Sequence, residues 1–155
     1  MVWKELNESL IITDLKAKDY TDVMKKLGSV MIQEGYAKDS YIDALIEREQ
    51  EYPTGLDIDG VGVAIPHTAV SHVKKHGIAI AVLDKPVTFF QMGTDDETVE
   101  VQVIFMLAVI NANEHLDQLQ TILKIIQDKN VLSDLMKTKD TKQIIKIIKD
   151  KECTL

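Results

Sequence analysis

The sequence predicts a layered α/β/α domain, and three features of its patterning carry that expectation. Apolar residues follow helical spacing early and late in the chain, while the middle switches to short β-branched and apolar runs. Two of those runs, IAIAVL from Ile78 and VQVIFMLAVI from Val101, are nearly unbroken in apolar character, as central strands covered on both faces require. Helices before and after such strands supply apolar surface for both faces of one sheet.

Each element has a local reason. Tyr20, Val23, Met24, Leu27, Val30 and Met31 mark a helix over 19–34, with Gly35 placed to end it. Ser40 opens a second helix, with Asp43 completing a loose capping box, and Pro53 and Gly55 break it after about Gln50. Strands are expected at 61–65, 77–83, 87–91 and 99–110. Asp57 to Gly60 (DIDG) resembles the start of a calcium loop, but the twelfth position is Thr68 where a bidentate Glu is needed, so it reads as a turn. The acidic run from Thr94 to Glu97 reads as a solvated loop. Past Asn111 the helical period returns, with one stripe at Leu116, Leu119, Ile122, Leu123 and Ile126 and another at Ile144, Ile145, Ile147 and Ile148. With no Pro/Gly/Ser-rich linker and no repeat, 1–155 reads as one domain.

Composition narrows the function. A net charge of −7 argues against a nucleic-acid or anionic-membrane surface and fits a small-molecule or protein partner. The longest apolar run, Val103 to Ile110, is far short of the roughly 20 residues a bilayer span needs. The start, MVWKELNESL, lacks the apolar core of a signal peptide. A single cysteine, Cys153, cannot close an internal disulfide, so a reducing cytoplasm is the expected compartment.

Four histidines carry the candidate chemistry. His67 ends the stretch GVAIPHT, behind Pro66, which stiffens the chain and cannot continue a central ladder. Open α/β sheets place ligands at such strand ends. An imidazole there suits a phosphoryl acceptor, general base or metal ligand, although a polar residue that merely ends a strand would look the same. His115 follows Asn113, a candidate N-cap, and falls in the first turn of the helix after the long strand. If both strands run the same way, His67 and His115 meet at one sheet edge, beside a helix N-terminus that favours anions. His115 alone reads equally as a solvated first-turn residue. His72 and His76 have i, i+4 spacing, but Lys74 and Lys75 between them oppose a cation, and no third ligand is near. No GxSxG, Walker or GxGxxG motif is present, so a phosphoryl group is expected from another protein and not from ATP.

Taken together, ERE at Glu47 to Glu49, PTGL at Pro53 to Leu56, GVAIPHT and NEHLDQL at Asn113 to Leu119 resemble the enzyme IIA domains of the bacterial sugar phosphotransferase system. The branch is the fructose–mannitol superfamily, and PTGL ahead of GVAIPHT looks most like its galactitol type. The resemblance implies a mixed central sheet flanked by helices. It implies that His67 accepts a phosphoryl group from phospho-HPr and passes it to a cysteine of a IIB component, with membrane IIC involved only indirectly and no nucleic acid. Arg48 matches the family arginine and His115 the second active-site histidine; Arg48 by itself would read as a helix-surface charge. Thr68 is positioned to offer a hydroxyl and backbone N–H to the phosphoryl oxygens. The transition state spreads charge over three equatorial oxygens, so fixed donors do most of the work and no metal or other cofactor is required. The family also serves regulators, so a module whose phosphorylation state controls a target is the alternative to sugar uptake. A non-catalytic anion- or metal-binding domain built on His67, His72 and His76 is a second one.

Overall fold

The computed structural model describes residues 1–94 and 96–155. Five strands form one sheet: β1 (Ile11–Leu15), β2 (Gly55–Ile58), β3 (Val61–Ala64), β4 (Gly77–Phe90) and β5 (Thr98–Ala108). Their spatial order is β1-β4-β5-β3-β2. β1 pairs with β4 and β3 with β5 in parallel, whereas β4–β5 and β2–β3 are antiparallel, so the sheet is mixed as expected. Helices α1 (Tyr20–Gln33) and α2 (Tyr41–Glu51) belong to one layer, and α3 (Ala112–Ile126), α4 (Lys129–Lys137) and α5 (Thr141–Glu152) to the other.

The period of two along β4 and β5 divides the core. Ala79, Ala81 and Leu83 of β4 join Ile104, Met106 and Ala108 of β5 beneath the α1/α2 layer, against Met24, Leu27, Met31, Tyr41 and Leu45. Ile78, Ile80 and Val82 join Val103, Phe105 and Leu107 on the opposite face, against Ile122, Ile125, Leu132, Ile144 and Ile148. Small sheet residues under large helix residues keep the first layer close. The burial of both faces accounts for the unbroken apolar runs seen in the sequence.

Several boundaries differ from the expectation. The strands expected at 77–83 and 87–91 are one strand, β4, in which Leu83 to Pro86 face the single residue Gln102. That bulge leaves Asp84, Lys85 and Pro86 exposed, which is how a proline survives in the middle of a paired strand. β1, β2 and α4 were not anticipated. β1 is short, carries Thr13 and Asp14 within it, and Asp14 takes a positive φ of 52°, so no clean alternation marks it. Gly35, at φ +83°, follows the end of α1 as expected. Ser40, in contrast, makes no capping bond to α2; its hydroxyl pairs with His72 Nδ1 at 2.8 Å. Only half of the DIDG stretch is a turn: Asp57 and Ile58 belong to β2, which forms a hairpin with β3 across Asp59 and Gly60, and Asp57 Oδ1 accepts the Gly60 N–H at 2.8 Å. Asp96 and Glu97 are exposed, in keeping with a solvated acidic loop, while Asp95 lies outside the described residues. Among the described residues, no helix is long and apolar enough to cross a membrane.

Gly62 is the tightest point of the β3–β5 pairing. A Cβ there would overlap the Glu100 carbonyl oxygen, which is backbone and cannot swing aside. Gly62→Ala is therefore expected to cost at least about 1–3 kcal/mol of unfolding free energy. A urea titration measures it, and an unchanged midpoint would contradict the close approach.

Candidate active site

The site begins where β3 ends. Beyond Ala64 the chain stays tied to β5, because the Pro66 carbonyl accepts the Leu107 N–H at 2.9 Å. The Leu107 carbonyl in turn accepts the buried Tyr41 hydroxyl at 2.7 Å, which fastens the start of α2 to the same strand. His67 therefore leaves a backbone fixed from two sides. Its Nδ1 lies 2.9 Å from the Ile65 carbonyl oxygen. A carbonyl only accepts, so Nδ1 carries the hydrogen and a neutral ring presents Nε2 with a free lone pair.

Because β3 and β5 are parallel, both end at one edge of the sheet, and α3 starts there. Its N-cap is Asn111, not Asn113: the Asn111 Oδ1 accepts from Asn113 N–H at 2.9 Å and Glu114 N–H at 3.3 Å. The cap falls earlier because β5 ends at Ala108 and the chain turns immediately afterwards. His115 remains in the first turn, and its ring centroid lies 4.8 Å from that of His67, tilted by 47°.

Arg48 reaches this edge from the last turn of α2. Its guanidinium lies 5.2 Å from the Tyr52 ring centroid. Arg48 acts on both imidazoles. Burial pushes the His67 pKa below its ordinary value, the Ile65 bond opposes that shift, and the charges of His115 and Arg48 push it down further. Burial likewise lowers His115, followed by Arg48 and then His76. Both rings are thereby biased toward the neutral form, in which a nitrogen can act as nucleophile. Thr68 is buried beside them, but its hydroxyl donates to the Ala69 carbonyl at 2.9 Å, so an incoming anion must compete for it. The Nε of Arg48 and Nδ1 of His115 are buried without a partner among the described residues.

The chain matches the family model described as phosphoenolpyruvate-dependent sugar phosphotransferase system, EIIA 2, over residues 4–151. It belongs to that family. EIIA components are phosphotransferases that move phosphoryl groups between proteins. This EIIA chain is 30% identical to the galactitol-specific EIIA component of Escherichia coli K12 over 123 residues, covering 79% of this chain and 81% of that protein. Its fold matches the complex of enzyme IIA mannitol with phosphorylated enzyme IIB mannitol from Escherichia coli, with a TM-score of 0.78 at 21% identity, covering 94% and 97% of the two chains. The nitrogen regulatory protein IIA-Ntr of Neisseria meningitidis gives a TM-score of 0.76 at 25% identity, covering 95% and 98%.

The other two histidines do not form a pair. A 3₁₀ turn ends at His72, so the i, i+4 spacing with His76 does not fall on a helix face. His72 faces Ser40, whereas His76 Nε2 lies 2.8 Å from Glu5 Oε2, which also accepts from Gln118 Nε2 at 2.8 Å. Among the described residues, no group of three or more His, Cys, Asp or Glu side chains could hold a metal ion. Two residues behind the site were not singled out in the sequence: Glu49 and Thr54, both buried. The available signal was position, since Tyr41, Leu45 and Glu49 repeat every fourth residue along one buried row of α2.

Two pH-dependent outcomes follow from the charges. Arg48→Gln removes a positive charge that disfavours the imidazolium, so the His67 titration followed by NMR is expected to move up toward 6.5. An unmoved titration would mean that Arg48 is not electrostatically coupled to the ring. Burial pushes the Glu49 carboxyl up to about 7 from 4.5, so the folded state binds its proton more tightly than the unfolded chain does. The stability from this group is complete below pH 4.5 and is lost as pH rises through about 7. Relative to Glu49→Gln, the natural protein should therefore lose unfolding free energy between pH 5 and 8. Denaturant titrations at several pH values check that slope.

Proposed function

We propose that this EIIA chain accepts a phosphoryl group from phospho-HPr on Nε2 of His67. It then passes the group to a cysteine of a cognate IIB component, serving uptake of galactitol or a related sugar or polyol. In the first step the N–P bond of the donor phosphohistidine breaks, and a bond from His67 Nε2 to phosphorus forms. In the second, the IIB thiolate takes the phosphoryl group and the His67 ring returns to neutral. Nδ1 keeps its hydrogen on the Ile65 carbonyl throughout. On this reading 1–155 acts as a single EIIA type-2 unit.

The observation that carries the proposal is the fixed Nδ1–H bond, which leaves Nε2 as the one nucleophilic nitrogen of a ring packed against His115. His115 and Arg48 are the groups that stabilise the phosphoryl oxygens, and Thr68 contributes from the loop beyond His67. A protein donor and acceptor suit the surroundings. Tyr52, Val70, Ile110 and Leu116 are all exposed, and each lies within a few positions of Arg48, His67 or His115. The 30% identity to a galactitol-specific EIIA component favours that class of sugar, and the structural relative bound to phosphorylated IIB favours the acceptor.

The likeness to a nitrogen regulatory IIA protein favours a second reading, in which phosphorylation of the same histidine controls a target protein. The two separate on the acceptor: onward transfer to a IIB cysteine supports uptake, and label that stays on this chain with every IIB supplied supports control.

Incubation with labelled phosphoenolpyruvate, Enzyme I and HPr is expected to label this chain only when all three are present. His67→Ala should take no label; label that persists would remove His67 as the acceptor. His115→Ala should still accept but pass the group on about 100- to 1000-fold more slowly, as loss of one transition-state donor predicts. Unchanged rates in both directions would exclude His115 from the mechanism.

A further inference from the structure

The carboxylate of Glu49 is only 4% exposed, and it follows Arg48 directly on the last turn of α2. Both of its oxygens face one residue. Oε2 accepts the Thr54 backbone N–H at 2.7 Å, and Oε1 accepts the Thr54 hydroxyl at 2.8 Å. A hydroxyl has one hydrogen and two lone pairs. With its hydrogen given to Glu49, Thr54 Oγ1 accepts the Ile65 backbone N–H at 3.2 Å. The carbonyl of that same Ile65 accepts from His67 Nδ1 at 2.9 Å. Three donors therefore point the same way, from the imidazole through both peptide groups flanking Ile65 and through Thr54, to the buried carboxylate.

We propose that Glu49 and Thr54 are positioning residues for phosphoryl transfer: they orient Ile65 so that its carbonyl holds the Nδ1–H form of His67 and leaves Nε2 to meet phosphorus. The proposal rests on His67 being the acceptor. It adds a function to two side chains that touch neither the phosphoryl group nor the imidazole.

A structural role alone does not account for the choice of residue. Glu49 continues the buried row of Tyr41 and Leu45, where an apolar side chain would pack without the cost of burying a carboxylate. Burial pushes its carboxyl up to about 7 even though both Thr54 bonds act to lower it. The direction of the bonds also matters. Once ionised, above about pH 7, the carboxyl can only accept, so it forces the Thr54 hydroxyl hydrogen toward itself and leaves the oxygen lone pair for Ile65. A Gln in its place turns an NH₂ donor toward one of the two Thr54 groups: against the backbone N–H two donors face each other, and against Oγ1 the hydroxyl hydrogen loses the acceptor that fixes its direction. The Ile65 N–H and C=O lie in successive peptide groups, so the link from Glu49 to His67 works by holding the orientation of the Ile65 backbone.

The test compares Thr54→Val, which removes the hydroxyl at nearly constant shape, with Thr54→Ser, which restores it, and with Glu49→Gln. Nitrogen-15 NMR of the His67 ring reads the tautomer without any donor protein. Single-turnover transfer from phospho-HPr, at rising donor concentration, separates the saturated rate from the half-saturating concentration. In Thr54→Val and Glu49→Gln the ring should become a mixture of tautomers. The saturated rate should fall about tenfold, the worth of one hydrogen bond, with the half-saturating concentration unchanged. Thr54→Ser should recover both. A far-UV CD spectrum and thermal midpoint identify any variant that has lost the fold, and the Glu49→Gln and Thr54→Ser pair then carries the comparison. An unchanged tautomer ratio in the folded variants overturns the proposal, as does an unchanged saturated rate. If natural protein takes no label on His67, the phosphocarrier reading fails instead, and the tautomer ratio still decides whether Thr54 and Glu49 govern the ring.

Discussion

Parallel pairing of β3 with β5 is the constraint on which the rest of the arrangement depends. A parallel pair ends at a common edge, so the residue leaving β3 and the helix entered from β5 must arrive side by side. The pairing is tight enough that Gly62 has no room for a side chain. It continues past the strand proper through the Pro66 carbonyl and the Leu107 amide, which a proline permits because only its missing N–H is lost to the ladder. His67 is thus delivered by backbone geometry, and α3 brings His115 and a helix N-terminus to meet it.

That edge runs against the charge of the molecule as a whole. The chain carries a net −7, yet two imidazoles, one guanidinium and the amide end of a helix gather here, with the carboxylates of Glu47, Glu51 and Glu114 around them. Burial and mutual repulsion favour the uncharged form of both rings. A neutral imidazole is the nucleophilic form, whereas a guanidinium stays charged at any physiological pH. On the proposed phosphocarrier reading, the two jobs of phosphoryl chemistry, a lone pair for phosphorus and a fixed cation for its oxygens, fall to different side chains. Arg48 Nε and His115 Nδ1, buried without partners among the described residues, would gain an acceptor from an oxyanion on the proposed reading.

Much of this was legible in the sequence because period and motif are local. The apolar runs gave β4 and β5, GVAIPHT gave the end of β3, and the position of His115 in a first turn survived a shift of the cap from Asn113 to Asn111. In the run Asn111-Ala112-Asn113 either side chain could cap, and only the place where β5 stops decides between them. β1 escaped because a five-residue strand with a left-handed Asp14 has no alternation to detect. α4 escaped because its nine residues bury only Val131, Leu132 and Leu135. Arg48 and Glu49 were unreadable as a pair. In ERE both look like a solvated face, yet the angle between successive helical residues sends one toward the sheet edge and the other into the core.

The alanines under α1 and α2 set a dimension as well as a packing density. Ala64, Ala79, Ala81 and Ala108 make the sheet thin beneath that layer, and Tyr41 and Leu45 settle into the space. The distance from helix axis to sheet is therefore fixed by methyl groups on strands, away from any reacting atom. A bulkier side chain at one of them would act as a wedge, raising α1 and, through the packing of α2 on α1, shifting the guanidinium away from the rim. Changes in this apolar floor would then alter how well the rim is aligned while leaving every polar residue in place. The tolerance of the chemistry is machined, in part, by its least functional-looking residues.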